Sequence, residues 1–244
     1  MQLVAFLRTY FDTHKNDQKK ILELINKKLS DQISIGTTPF CAMPLIIFLT
    51  HIYSRLFPNN NASTPLASDF LKVLNEGVLP LISLPDLPLY QQNLRQLLLA
   101  FLNSHNRYSE KFLRYIELKW PQTNSQSQVA FFSILTSIWE KMDAKEFKPM
   151  SKRVFFFIAD CAESSNIKLQ EMALDIWRNA TPDNWIGLNG RYAVNAMYEP
   201  ALKLTEKNWN KAIAEKASAA LTEMCRINKR EYQKMKLYIN QMKV

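Results

Sequence analysis

The sequence predicts an all-α fold, an α-solenoid of stacked helix pairs, on three observations. Only 4 glycines occur in 244 residues, too few for the turns of a β-rich fold or the phosphate loops of a nucleotide-binding α/β fold. Apolar residues recur at spacings of three and four, the period of a helix with one buried face. Pairs of such segments, parted by proline or short polar runs, repeat at roughly 40 residues, the size of a two-helix solenoid repeat. With 47% hydrophobic residues a large core is available, and the whole of 1–244 is expected to form a single solenoid domain.

The first third is the least regular. Residues 2–11, 17–29 and 41–56 read as helices. Met43 to Leu49 is apolar but short, and His51 and Arg55 follow it, so it is a buried helix and not a membrane span. The apolar start, 1–10, is too short and too weakly basic for a signal peptide. Residues 57–66 hold Asn59, Asn60, Asn61 and Pro65 and read as a mobile surface loop. A helix resumes over 68–75, and Pro80, Pro85 and Pro88 predict an extended crossing.

Four helix pairs follow. The first is 89–102 with 111–118, broken near 104–107. A sharp corner closes it: Pro121 lacks an N–H and disfavours helical geometry at Trp120, and Thr123, Asn124 and Ser125 offer side-chain acceptors to the next helix. The second pair is 125–142 with 145–161, broken near Asp143. Val154 to Ile158, with Phe155, Phe156 and Phe157 between them, is apolar all round and predicts a fully buried helix. The third is 167–178 with 185–204, broken at Thr181, Pro182 and Asp183, where Thr181 suits an N-cap and Pro182 a first helical position. The fourth is 209–227 with 229–242, and Asn228 suits the corner between them. Its first helix is expected to bury Trp209, Ile213, Ala217, Ala220, Leu221 and Met224, and its second Tyr232, Met235, Ile239 and Met242. The five tryptophans read as wedges between helices.

No catalytic constellation is present in the pattern. His14, His51 and His105 are isolated from one another and from the cysteines, whereas metal and nucleophile sites need clustered ligands or a base beside a nucleophile. No Gly-rich phosphate loop, Gly-x-Ser-x-Gly elbow or His-Glu-x-x-His helix occurs. No metal or cofactor is implied. Cys41, Cys161 and Cys225 are odd in number and widely spaced, which predicts reduced core residues in a cytosolic or nuclear protein.

Net charge is +9, and most of the excess lies late in the chain. Lys207, Lys211, Lys216, Arg226, Lys229, Arg230, Lys234, Lys236 and Lys243 face only Glu215, Glu223 and Glu231 as acidic counterparts there. Such a surface is either a solvated helix face or an attractor of nucleic acid, acidic lipid or an acidic protein.

Several stretches are also recognisable as text. They run from Leu71-Lys72-Val73-Leu74 and Leu79-Pro80-Leu81 through Leu118-Lys119, Pro121, Thr123 and Ser125. They continue with Glu146-Phe147, Phe157-Ile158-Ala159 and Cys161, Ser164-Ser165, Glu171, Ala173-Leu174, Trp177 and Asn179. They close with Asn208-Trp209-Asn210-Lys211, Ile213 and Ile227-Asn228. In this order the chain resembles the B′ regulatory subunits of protein phosphatase 2A, clearly from Asp69 to Lys243. The resemblance implies a solenoid of HEAT-like repeats, an armadillo-type superhelix. It implies a non-catalytic subunit that docks on a scaffold subunit and a serine/threonine phosphatase catalytic subunit and chooses phosphoprotein substrates.

The resemblance has two departures. The family's conserved body is longer on the N-terminal side, so this chain matches its C-terminal half. The family also captures Leu-x-x-Ile-x-Glu peptides with a His-Arg-x-Tyr stretch and further basic residues. Here Leu7-Arg8-Thr9-Tyr10 falls at that place: Arg8 and Tyr10 match, and Leu7 does not. The further Arg falls near Asp17 or Gln18, and the Lys and His of the next repeat fall in 63–66, which has neither. An acidic peptide side chain needs charged donors to offset its desolvation, so weak or absent capture is expected. The alternative function is a basic helical-repeat module for nucleic acid or an acidic protein, with nucleic acid the less favoured partner.

Overall fold

Polar corners and proline stops divide the chain into short helices, each with one apolar face to bury. The computed structural model describes residues 2–34, 42–57, 65–105 and 108–242. Among them are thirteen α-helices and no strand. In chain order these are α1 (Gln2–Thr13), α2 (Gln18–Ser34), α3 (Ala42–Leu56), α4 (Ala67–Lys72), α5 (Leu87–Ser104), α6 (Ser109–Leu118) and α7 (Ser125–Trp139). There follow α8 (Ala144–Phe147), α9 (Ser151–Ala162), α10 (Ile167–Asp175), α11 (Gly190–Lys207), α12 (Lys211–Ile227) and α13 (Lys229–Met242). The all-α class predicted from glycine scarcity and periodicity is the one that forms. Cys41, Lys243 and residues 58–64 of the expected surface loop lie outside the described residues.

Contacts group the chain into two compact units, 1–141 and 142–244. In the first, α1 packs on α3, α3 on α5 and α5 on α7. In the second, α9 packs on α11, α10 on α12 and α11 on α13, while α9–α10, α11–α12 and α12–α13 touch as neighbours. From α9 to α11, each helix thus meets the next but one, which is the packing of a helical repeat.

Aromatic rings fill both cores. In the first unit Phe11 meets Phe48 edge to face at 5.9 Å, and His105 stacks on Phe101 at 4.7 Å beside Tyr53 and Phe57. In the second, Trp185 stacks on Phe155 at 5.4 Å and meets Phe147 edge to face at 5.3 Å. Such pairs add about 0.5–1.5 kcal/mol each beyond the area they bury.

Four helix starts use one device. Asn124 Oδ1 accepts from Ser127 N at 2.9 Å, Asn166 Oδ1 from Lys168 N at 3.1 Å, Asn210 Oδ1 from Ala212 N at 3.0 Å and, at α13, Asn228 Oδ1 from Glu231 N at 3.1 Å. Each satisfies an amide that the first helical turn leaves open. Four residues on, Gln128 donates to the Pro121 carbonyl at 3.0 Å and Gln170 to the Ser164 carbonyl at 2.7 Å, folding the preceding loop onto its helix. The caps at Asn124, Asn166 and Asn210 recur about 40 residues apart, one repeat length.

Six local expectations are corrected. Residues 79–88 do not cross in extended form: a π-helical segment (Val73–Val78) runs into a 3-10 turn (Leu79–Ser83), and Pro88 sits in the first turn of α5. Proline is tolerated there because first-turn N–H groups need no intrahelical partner. The segment 145–161 is not one helix, since Pro149 separates α8 from α9. Thr181 caps nothing: 181–186 is a turn, and the helix waits until Gly190. Phe156 is 48% exposed, so α9 is buried on one side only. Trp209 precedes α12 instead of joining its buried stripe and is 80% exposed, so it is no wedge; Met242 is likewise exposed. Trp139, Trp177 and Trp185 are buried as expected.

Candidate functional site

Arg8 and Tyr10 lie on α1, two residues apart, so they face different sides of the helix. The Tyr10 hydroxyl donates to Asp17 Oδ2 at 3.1 Å, and its ring stacks on His14 at 4.1 Å. The Asp17 carboxylate, first as hydrogen-bond acceptor and then by its charge, pushes the Tyr10 phenol above its ordinary range. Beside Tyr10 runs an apolar groove of about 450 Å³, with Phe6, Leu7, Leu24, Leu45 and Phe48 in its wall. Arg8 does not line it, and its Nε is buried without a hydrogen-bond partner among the described residues.

The basic residues late in the chain separate into two kinds. Lys216 is spent inside the second unit: it joins α12 to α10 by donating to Glu171 Oε1 at 2.8 Å and Asp175 Oδ2 at 2.7 Å. Arg226 is tied to Glu223 Oε2 at 2.6 Å and to the Ala180 carbonyl. Lys234 reaches Glu231 at 3.7 Å. Lys207, Lys211, Lys229, Arg230 and Lys236 have no ion-pair partner among the described residues. Lys207 and Lys211 flank the exposed Trp209 on a turn held by Asn208, whose Oδ1 accepts from Asn210 N at 2.9 Å. Lys229, Arg230, Lys234 and Lys236 share α13. Sequence reasoning missed the exposed apolar side chains among them, Leu237 and Tyr238 above all. Each interrupts a polar helix outside its predicted stripe, and that was the available signal.

The histidines stand apart. His14 stacks on Tyr10, His51 lies 3.4 Å from Asp12, and His105 is in the aromatic core. Among the described residues no three His, Cys, Asp or Glu side chains are placed to hold a metal ion. Cys161 is buried, and burial raises its thiol well above the ordinary range, followed by the effect of Asp160. No described helix is long and apolar enough to cross a membrane.

The Lys216 network has a pH signature. Hydrogen bonds from Lys168 and then Lys216 lower the Glu171 carboxyl from 4.5 to about 2. A depressed carboxylate stabilises the fold above its unfolded value and loses that contribution as pH falls through its folded one. Lys216 is pulled down by burial, but its bonds to Asp175 and Glu171 raise it overall, so its share is lost only as pH rises through the raised value. Glu171→Gln is expected to lower the melting temperature at about pH 7 and to matter little near pH 2. An equal deficit at both pH values would show that charge at Glu171 is not what holds α10 to α12.

A helical-repeat chain with these corners has a match along nearly its full length. The family model for the protein phosphatase 2A regulatory B subunit (B56 family) matches residues 1–243. The chain belongs to the B56 family. The match reaches upstream of Asp69, where the resemblance in the residues alone begins, and takes in α1 to α3. This B56-family chain is 28% identical over 158 residues to the B′ delta isoform of the 55 kDa protein phosphatase 2A regulatory subunits from Arabidopsis thaliana, covering 63% of this chain and 32% of that relative. It is 26% identical over 154 residues to the Arabidopsis thaliana B′ theta isoform, covering 63% and 31%. It is 24% identical over 169 residues to the alpha isoform of the 56 kDa regulatory subunits of Homo sapiens, covering 69% and 35%. These matches span about a third of the length of the curated relatives.

Proposed function

We propose that this chain acts as a non-catalytic regulatory subunit of a protein phosphatase 2A holoenzyme, docking on the scaffold and catalytic subunits and directing substrate choice. The observation that carries this reading is the family match over residues 1–243, laid on a fold of packed helix pairs. Its mechanism is positional. Packed helices hold surface loops at fixed spacing, so a bound substrate is presented to a separate active site at raised effective concentration. The catalytic groups belong to the partner, and the place of work is the cytosol or nucleus. Co-purification of the full chain with scaffold and catalytic subunits is the expected result. A folded chain that retains neither of them at micromolar concentration would count decisively against it.

Capture of Leu-x-x-Ile-x-Glu peptides is expected to be weak. Asp17 occupies the Tyr10 hydroxyl and sets a negative charge where a peptide glutamate needs a cation, and Arg8 lies outside the groove beside Tyr10. Titration of such a peptide should show no saturation at micromolar concentration. Micromolar binding that Arg8→Ala abolishes would overturn this expectation.

A further inference from the structure

The helix α13 carries a surface that its own packing leaves uncovered. It buries Glu231 and Ile239, yet Leu237 is 64% exposed, Tyr238 52% and Met242 69%. Residues 230, 234, 237 and 241 recur three and four apart and therefore share one face. With Asn195 of α11 and with Tyr238, that face lines an open groove of about 660 Å³. Charge around it is one-sided. Arg230 and Lys236 have no ion-pair partner among the described residues. Glu231, the one acidic residue of α13, is buried and shared between Arg191 at 3.4 Å and Lys234 at 3.7 Å.

We propose that this groove receives an acidic amphipathic helix of a protein partner. Leu237 and Tyr238 offer an apolar floor, and a helix laid there would bury its own apolar stripe at i, i+3 and i+4. Arg230 and Lys234 stand beside that floor, where carboxylates on the flank of the incoming helix would meet them. Nucleic acid fits less well: phosphates would use the cations but leave Leu237 of the groove in water, with no apolar surface to cover it. This site is independent of the phosphatase reading, since it needs neither a scaffold nor a catalytic subunit.

The test is fluorescence anisotropy on the full chain with three labelled probes. One is a synthetic peptide of two Glu-Leu-Glu-Glu-Leu-Leu-Glu heptads, one is a scramble of the same composition without the apolar stripe, and one is single-stranded oligothymidine. The striped peptide should bind most tightly. Leu237→Ser, and the pair Arg230→Glu with Lys234→Glu, should each weaken it by about tenfold or more. Lys207→Glu, on the turn between α11 and α12, should leave it unchanged. Tyr238→Ser stands in if Leu237→Ser alters the circular-dichroism melt. Absence of saturable binding by the striped peptide overturns the proposal. So does equal binding of scramble or oligothymidine with no response to the apolar variants, which would leave only an electrostatic surface.

Discussion

Replacing Gly187 with alanine should destabilise the second unit by about 3 kcal/mol and lower its melting temperature by roughly 10 °C or more. The reason is the turn 181–186, which folds back onto Gly187. Asn184 fastens that turn from both ends: its Oδ1 accepts from Ile186 N at 3.1 Å and Gly187 N at 3.0 Å, and its Nδ2 donates to the Asn179 carbonyl at 2.8 Å. A Cβ on residue 187 would collide with the Thr181 carbonyl oxygen and would lie 2.6 Å from Pro182 Cα. Both obstacles are backbone, so no rotamer change relieves them. The other helical glycines differ: a Cβ at Gly190 meets its nearest neighbour, the Ile227 side chain, at 3.1 Å, so Gly190→Ala should cost less. Thermal melts of the two variants in parallel decide the point. Equal and small losses would show that the 181–186 turn yields easily.

Trp177→Ala should cost about 3–5 kcal/mol, the range for deleting a large buried aromatic side chain. Trp177 is fully buried. It reaches that position because α10 tightens into a 3-10 turn over Ile176–Asn179, which packs against α12. Its indole nitrogen is buried without a hydrogen-bond partner among the described residues, so the ring contributes by volume and not by a polar link. Trp177→Phe should therefore keep much of the stability that Trp177→Ala loses. Chemical denaturation of the three proteins checks this. Phenylalanine as damaging as alanine would mean that the indole N–H has a partner after all.

How much was legible follows from how local each signal is. The corner at Trp120–Pro121 was readable because a missing N–H, a restricted preceding residue and a capping side chain act within nine residues. The structure assigns the cap to Asn124 out of the three candidates. The caps at Asn166 and Asn210 obey the same local rule. Thr181 carried equally good letters and capped nothing, because close packing of its carbonyl against Gly187 joins residues six apart through space. Trp209 failed for a related reason. Its spacing to Ile213 is helical, but Asn210 starts the helix after it and turns the indole outward.

The candidate sites show the same division. Sequence counted the late cations but not their partners. Lys216 looks identical to Lys211 in composition, yet tertiary packing places Glu171 and Asp175 on one and leaves the other without a partner among the described residues. Alone, the sequence determined the all-α class, the repeat length, the family and the positive charge of the last helices. The class, the repeat length and the charge rest on local backbone preference, apolar period and residue count, and the family rests on matching residues in order along the chain. Which cations are consumed, which apolar side chains remain in water and which glycine admits no substitution were decided only by the tertiary structure. Each depends on a distance through space, between residues as near as Thr181 and Gly187 or as far apart as Asp175 and Lys216, and no local backbone preference encodes that distance.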